Sequence, residues 1–352
     1  MSTTELLKGA AELFPGEVVT QAHVRHLDLP GAGRFALITL DNGFDHTKPT
    51  TFGPQSLAHL DAAIDQVEKE AAEGEITGAG ITGKPFIFAV GADLKGVELL
   101  KEHKDALAIG KGGHDVFKRL SALAVPTFAY YNGAAMGGGV EVGLHCTYRT
   151  VSASVPAFSL PEVFLGLIPG WGGCTLLPNL IGADRAVTVI IENSLNQNRQ
   201  LKGGQVYELG IADALFEGAD FLEQSLNWTA AVLRGEIEVV RPEIDRGEGW
   251  DRAVARGRLI ADGTPSMIKS RVADRTVTVA DRGVSLADLT ALPAVIAGQR
   301  SGGRLLLRTT DSDATLRALI TGHPAAADIE VVSASLEDAF LTLTHDQSEE
   351  LR

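Results

Sequence analysis

Cysteine is nearly missing: 352 residues hold two, Cys146 and Cys174. Two thiols cannot knit a disulfide framework, and such sparse use fits a reducing cytoplasm. No apolar run is long enough to span a bilayer. The start, "MSTTELLKGAAELFPGE", has no basic stretch leading into a long apolar one, so no secretory leader is expected. Positive charge is also short. Against 45 Asp and Glu stand 31 Lys and Arg, a formal charge of −14. That balance argues against nucleic acid or an anionic membrane as the main partner, while leaving room for a small anion on a local patch. Internal repeats and low-complexity linkers are absent. His46 and His114 stand alone, without metal-ligand spacing, so no metal is expected.

What is present is ordinary globular material, 45% hydrophobic and 22% charged. The length suggests one large domain and a smaller one. "RFALITLDN" reads as a strand and Ser56–Glu75 as an amphipathic helix. A strand, a Gly-Lys-Pro turn and a second short apolar run fill Ile76–Leu94. A long helical stretch, Lys95–Leu123, is expected to break at Gly110–Gly113. Helices dominate from Ala183 to about Leu233. Alternating strands and helices predict an α/β domain. Beyond about residue 260 the composition shifts to short elements: strand "RTVTVAD", helix "LADLTALPAVIAG", strand "GRLLLRTT", helix "DATLRALIT" capped by Asp313, strand "DIEVVSA", and a helix opened by Ser335. This reads as β-α-β-α-β-α, enough for a small α+β domain.

The chemistry gathers around "AAMGGGVEVGLHC", Ala134–Cys146. Glycines let a ligand approach the backbone, and a helix starting there offers free N–H groups to a phosphate or a developing oxyanion. A phosphate loop would continue as Gly-Lys-Ser/Thr, and none follows. A dinucleotide fingerprint beginning at Gly137 would need glycine at 142, which is Val142. An oxyanion site is the better functional reading, although Gly-Gly-Gly alone indicates tight helix packing. A second loop, "FAVGADLK", again offers a backbone N–H after an apolar strand, at Gly91 and Ala92. In a third, "FSLPEVFLGLIPGWGG", Glu162 sits behind Pro161; taken alone it reads as a surface acid at a turn.

In that order, "FAVGADLK", "NGAAMGGGVEVG", "LPEVFLGLIPGWGG" and "LPNLIG" closely resemble the crotonase superfamily, and within it the enoyl-CoA hydratases. The similarity runs from about Arg34 to about Asp213 and more weakly to about Asp262; it is nearest to the hydratase portion of bacterial multifunctional fatty-acid oxidation proteins. The resemblance implies a crotonase-like ββα spiral with C-terminal oligomerisation helices, assembled as a homotrimer or hexamer. It implies that the N–H groups of Ala92 and Gly138 hold a thioester oxygen, and that Glu141 and Glu162 are the hydratase acids. Val90, Ala92, Asp93, Leu94, Lys95, Gly138 and Trp171 are expected along the acyl-CoA site. No cofactor is implied, because CoA belongs to the substrate.

The chemistry suits those roles. Water addition to a 2-enoyl thioester builds charge on the thioester oxygen, and each aimed amide is worth about 3 kcal/mol. Glu141 would hold and activate water, and Glu162 would deliver a proton to the α-carbon. A site with only Glu162 well placed would lean towards double-bond isomerisation. Departures from the family pattern are Thr147 after Cys146, where Asp is commoner, and Gly96 after Lys95, where an acid is common. Among other residues, His145 reads as packed or hydrogen-bonded, both cysteines as packing residues, and "HVRH" (His23–His26) as solvated surface. Trp171 could touch an acyl chain or fill the core.

The expected division is 1–262 and 263–352. No dehydrogenase glycine fingerprint follows residue 213. Instead "GRLIADGTPSMIKSRV" and "SLEDAFLTLT" resemble the C-terminal accessory segment of drug-export ABC-transporter ATPase subunits, without any nucleotide-binding motif. That resemblance implies an exporter partner for the tail, in a fusion whose large part is a cytoplasmic hydratase or merely its carrier.

Overall fold

The computed structural model describes residues 7, 9–93, 103–256, 275–281, 283–301, 303–323 and 326–333. The chain divides into two compact units, Met1–Gly257 and Arg258–Arg352.

In the first unit, long strands alternate with short ones. The long strands are β1 (Gln21–Leu29), β2 (Gly33–Asp41), β3 (Gly78–Gly83), β5 (Thr127–Tyr131) and β7 (Tyr148–Ser152), joined by the three-residue end strand β9 (Ala214–Phe216). They form one sheet in the order β1-β2-β3-β5-β7-β9, antiparallel at the first pair and parallel thereafter. The short strands β4 (Phe86–Ala89), β6 (Gly133–Met136) and β8 (Phe158–Ser159) make a second, parallel sheet. Each long strand from β3 to β7 is thus followed by a short one in the other sheet, the ββ half of a repeated ββα turn.

Residue alternation explains why both faces of the large sheet are covered. On β2, Ala36, Ile38 and Leu40 enter the main core, while Phe35 and Leu37 enter a second core on the opposite face. On β5, Ala129 and Tyr131 face the first, and Phe128 and Tyr130 the second. Side chains on a strand point alternately to opposite faces, and parallel sheets are stable when both are buried. Helix Pro54–Ala72 (α1) supplies Leu57, Leu60, Ile64 and Val67 to the first core at helical spacing. Helix Phe221–Leu233 covers this chain's own second core through Phe221 and Ala230. Tyr130 and Thr229 join their hydroxyls there at 2.8 Å.

Two expectations are corrected here. Gln21–Leu29, for which only the solvated surface of His23–His26 was expected, is the edge strand β1: His23 and Arg25 are exposed, but His26 Nε2 meets Glu70 Oε2 at 2.8 Å. Helix His103–Ala122 (α2) runs through Gly110–Gly113 without a break. Gly113 serves space instead: a methyl group there would fall inside the Trp171 indole. Gly113→Ala therefore trades about 1 kcal/mol of helix propensity against roughly 2–3 kcal/mol of overpacking. Net destabilisation is expected in urea unfolding followed by tryptophan fluorescence; a stabilised variant would contradict this packing.

The second unit has strands β10 (Arg275–Ala280), β11 (Val295–Ser301), β12 (Arg304–Thr309) and β13 (Glu330–Ser333), ordered β11-β12-β10-β13 and antiparallel throughout. Helices Leu286–Thr290 and Ser312–Gly322 lie between them in sequence, and Val277, Val279, Leu289, Leu305, Leu307 and Leu319 form its core. The observed sequence is β-α-β-β-α-β, the split β-α-β pattern. The helix expected over "LADLTALPAVIAG" stops before Pro293, and the apolar residues beyond it pair with β12 as a strand. Asp311, rather than Asp313, caps the second helix. The helix expected at Ser335 lies outside the described residues.

Candidate active site

Three loops leave the small sheet on one side of the molecule. The first follows β4. Phe52 N–H donates to Gly91 C=O at 2.9 Å, and Asp93 N–H donates to Phe52 C=O at 3.0 Å. This isolated parallel bridge joins Phe52 with Ala92. Its hydrogen bonds use the residues on either side of Ala92 and leave the Ala92 N–H pointing away. Val90 is anchored through its N–H to Thr50 C=O at 2.8 Å. Leu94 and Lys95 lie outside the described residues.

The second loop follows β6. Gly137, with φ of +51°, turns the chain into helix Gly138–Leu144 (α3). Among the described residues no hydrogen bond engages the N–H of Gly138 or of Ala92. The two glycine loops touch. A methyl group built on Gly91, where φ is +86°, would lie 3.6 Å from the Gly138 nitrogen.

The third loop, after β8, carries Glu162 at the start of a short 3-10 turn, Glu162–Leu165, and returns through Trp171–Gly173 into helix Gly173–Ile181 (α4). Glu141 projects from the first turn of α3 and is 2% exposed. Its Oε1 accepts the N–H of Trp171 at 2.8 Å and of Gly173 at 2.9 Å. Glu162 Oε1 would lie 2.7 Å from a methyl group on Gly137, and its buried Oε2 has no hydrogen-bond partner. Both acids are held well above the usual carboxylate range. Burial pushes Glu141 to about 7, opposed by the amides of Gly173 and Trp171. Burial, then the charge of Glu141, pushes Glu162 to about 8.

The Trp171 side chain belongs to the core. It is 6% exposed, stacked edge-on with Phe52 and Phe117, and a methyl group on Gly138 would overlap its ring. Its polar contribution to the site is the backbone N–H on Glu141. Cys146 is buried as expected. Cys174 is not: the residue is exposed, while partial burial of its thiol and the charges of Glu141 and Glu162 push it up to about 11, which marks it as a neighbour of both acids. Its position three residues after Trp171, at the start of α4, was the available signal. A separate cavity of about 910 Å³, lined by Ile181, Tyr207, Val240, Arg241 and Trp250 among others, contains neither glutamate. Its Arg241 is already paired with Asp213 at 2.7 Å.

The interleaved sheets and their ββα connectivity define a crotonase-like protein. The chain belongs to the enoyl-CoA hydratase/isomerase family, which it matches over residues 35–242. It is 30% identical to the fatty acid oxidation complex subunit alpha of Shewanella loihica over 213 residues, 57% of this chain and 28% of that protein. It is 28% identical to an enoyl-CoA isomerase/hydratase of Zymoseptoria tritici over 268 residues, 76% of this chain and 79% of that one. The chain thus spans less than a third of the fatty-acid oxidation relative. Among solved structures, DspI of Pseudomonas aeruginosa superposes with a TM-score of 0.51 at 25% identity, covering 61% of this chain and 80% of DspI. An enoyl-CoA hydratase from Bacillus anthracis gives 0.52 at 24%, covering 61% and 76%.

Proposed function

We propose that this protein adds water across the double bond of 2-enoyl-CoA thioesters, as in fatty-acid β-oxidation. The observation that carries this reading is the pairing of buried Glu141 with half-buried Glu162, whose pKa the charge of Glu141 raises, and with two amides at touching loops that no described hydrogen bond engages. The Ala92 and Gly138 N–H groups receive the thioester oxygen and stabilise it as the enolate forms. Ionised Glu141 takes a proton from water, whose oxygen bonds to the β-carbon. Protonated Glu162 gives its proton to the α-carbon. The pair thus needs one proton between its two members, and the buried, like-charged arrangement holds one near neutral pH. Loss of the conjugated enoyl-thioester absorbance on mixing with crotonyl-CoA tests the reading. Unchanged absorbance, with gain of absorbance from a 3-enoyl-CoA, would assign isomerisation instead.

The pH dependence follows. Glu141 must be ionised and Glu162 protonated. Activity should fall on the acid side as Glu141 gains a proton near 7 and on the alkaline side as Glu162 loses one near 8. A bell-shaped kcat/KM profile centred between these values is expected, and a profile flat over about pH 5.5–9.5 would contradict it.

The remaining parts of the reading are coarser. Phe164, Leu165, Leu167 and Ile168 are all exposed within a single loop, which supports self-association into a trimer or hexamer. Two free thiols suit a reducing cytoplasm, and no described helix is long and apolar enough to cross a membrane. The small unit is read as a non-catalytic accessory module with an exporter-type partner, on the sequence resemblance alone. A pull-down with and without residues 264–352 distinguishes that role from a bystander domain.

A further inference from the structure

His145 caps the end of α3, four residues and one helical turn beyond Glu141. It is 4% exposed, and its Nε2 lies 2.8 Å from the carbonyl oxygen of Trp171. A carbonyl only accepts, so Nε2 carries the hydrogen and donates it. The imidazole also fills the space beside Gly172, where φ is +124° and a methyl group would meet His145 Nε2 at 2.6 Å. The Trp171–Gly173 turn is therefore gripped twice by one short helix. His145 holds its carbonyl, and Glu141 accepts its N–H groups at 2.8 and 2.9 Å.

We propose that His145 is the positioning residue for Glu141, acting through the Trp171 carbonyl to keep the Trp171 and Gly173 amides aimed at the carboxylate. The idea rests on Glu141 being a working acid of the site, and it goes beyond that assignment by naming what sets its orientation. A packing histidine would need no hydrogen bond at Nε2, and an apolar residue would fill the same space. The groups facing Glu141 are Glu162 on the 3-10 turn, Cys174 on α4 and, through Trp171, His145 itself. His114 on α2 stacks edge-on against His145 with centroids 5.8 Å apart, and its buried Nδ1 has no partner. Burial disfavours the charged form of His145, its bond to the Trp171 carbonyl partly offsets this, and the charge of His114 adds a smaller push the same way as burial. Burial dominates, and the neutral Nε2–H form does the holding.

Removing the Nε2 donor frees the Trp171 carbonyl and loosens the two amides that favour ionised Glu141. The carboxyl should then titrate roughly one pH unit or more higher. The test is a ¹³C NMR titration of glutamate-labelled full-length protein, with the Glu141 carboxyl assigned by its loss in Glu141→Gln. In His145→Leu the Glu141 titration is expected to move up. His145→Asn, too short to reach Trp171 but tolerant of a polar setting, should move it equally and stands in if the Leu variant fails to fold. His145→Gln, whose side-chain nitrogen falls near the position of Nε2, should restore it. A Glu141 titration unchanged in a folded Leu or Asn variant overturns the proposal, as does a folded Gln variant that restores nothing. Because the readout is a titration, it is separate from turnover of crotonyl-CoA. Inactive wild type with a His145-dependent titration would sink the hydratase reading and leave the positioning role standing.

Discussion

Glu162→Gln should lower kcat for crotonyl-CoA hydration by roughly 10²- to 10⁴-fold, with no loss of thermal stability. The size follows from removing the group that gives the α-carbon its proton. The intact fold follows from the surroundings. Glu162 Oε2 has no hydrogen-bond partner, and its Oε1 abuts the backbone of Gly137 without anchoring any described element. A neutral amide also removes the repulsion from Glu141 that helps raise this group's pKa. Stability should therefore hold or rise. Circular dichroism, a melting curve and steady-state rates check both halves, and a folded variant with near-normal turnover would remove Glu162 from the mechanism.

Glu141→Gln should cost a similar factor for a different reason. The amide oxygen of Gln can still accept the N–H groups of Trp171 and Gly173, so the loop keeps its shape. What is lost is the capacity to take a proton from water. The substitution also deletes the charge that raises Glu162, so Glu162 should titrate lower than in the wild type. The residual rate should therefore lose its acid limb near pH 7 and fall off at lower pH on the alkaline side. Rates measured over the same pH range in both proteins would show it. An acid limb retained in Glu141→Gln would assign that limb to another group.

Much of this was legible because the site is built from backbone-dictated positions. Glycines after β4 and β6 can be placed from chain order alone, but the roles of Ala92, Gly138, Glu141 and Glu162 come from the family resemblance, since Glu162 taken alone reads as a surface acid. The alternation of β2 and β5 likewise follows from strand geometry. The misreadings share a different cause: the deciding partner is distant in sequence. Gly113 looks like a helix break until the Trp171 indole, on another loop, occupies the space above it. The polar residues of β1 hide a strand because only one of its edges is paired, with β2. Val295–Ser301 follows a helix and resembles its continuation; Pro293 and the partner β12 make it a strand. Trp171 could be resolved only by seeing which cavity its ring fills. His145 reads as packed or hydrogen-bonded, and it is both; Cys174 reads as a packing residue because its neighbours are the carboxyl pair of other loops.

The central claim is that two amides grip one thioester oxygen while both carboxyls face the adjacent carbons. A crystal structure of the full chain with butyryl-CoA, a saturated analogue that cannot be hydrated, tests it most directly. The account predicts the thioester oxygen about 2.7–3.1 Å from the nitrogens of both Ala92 and Gly138, with Glu141 and Glu162 beside C2 and C3. A thioester oxygen bonded to neither amide, or an acyl chain lying away from the two glutamates, would contradict it.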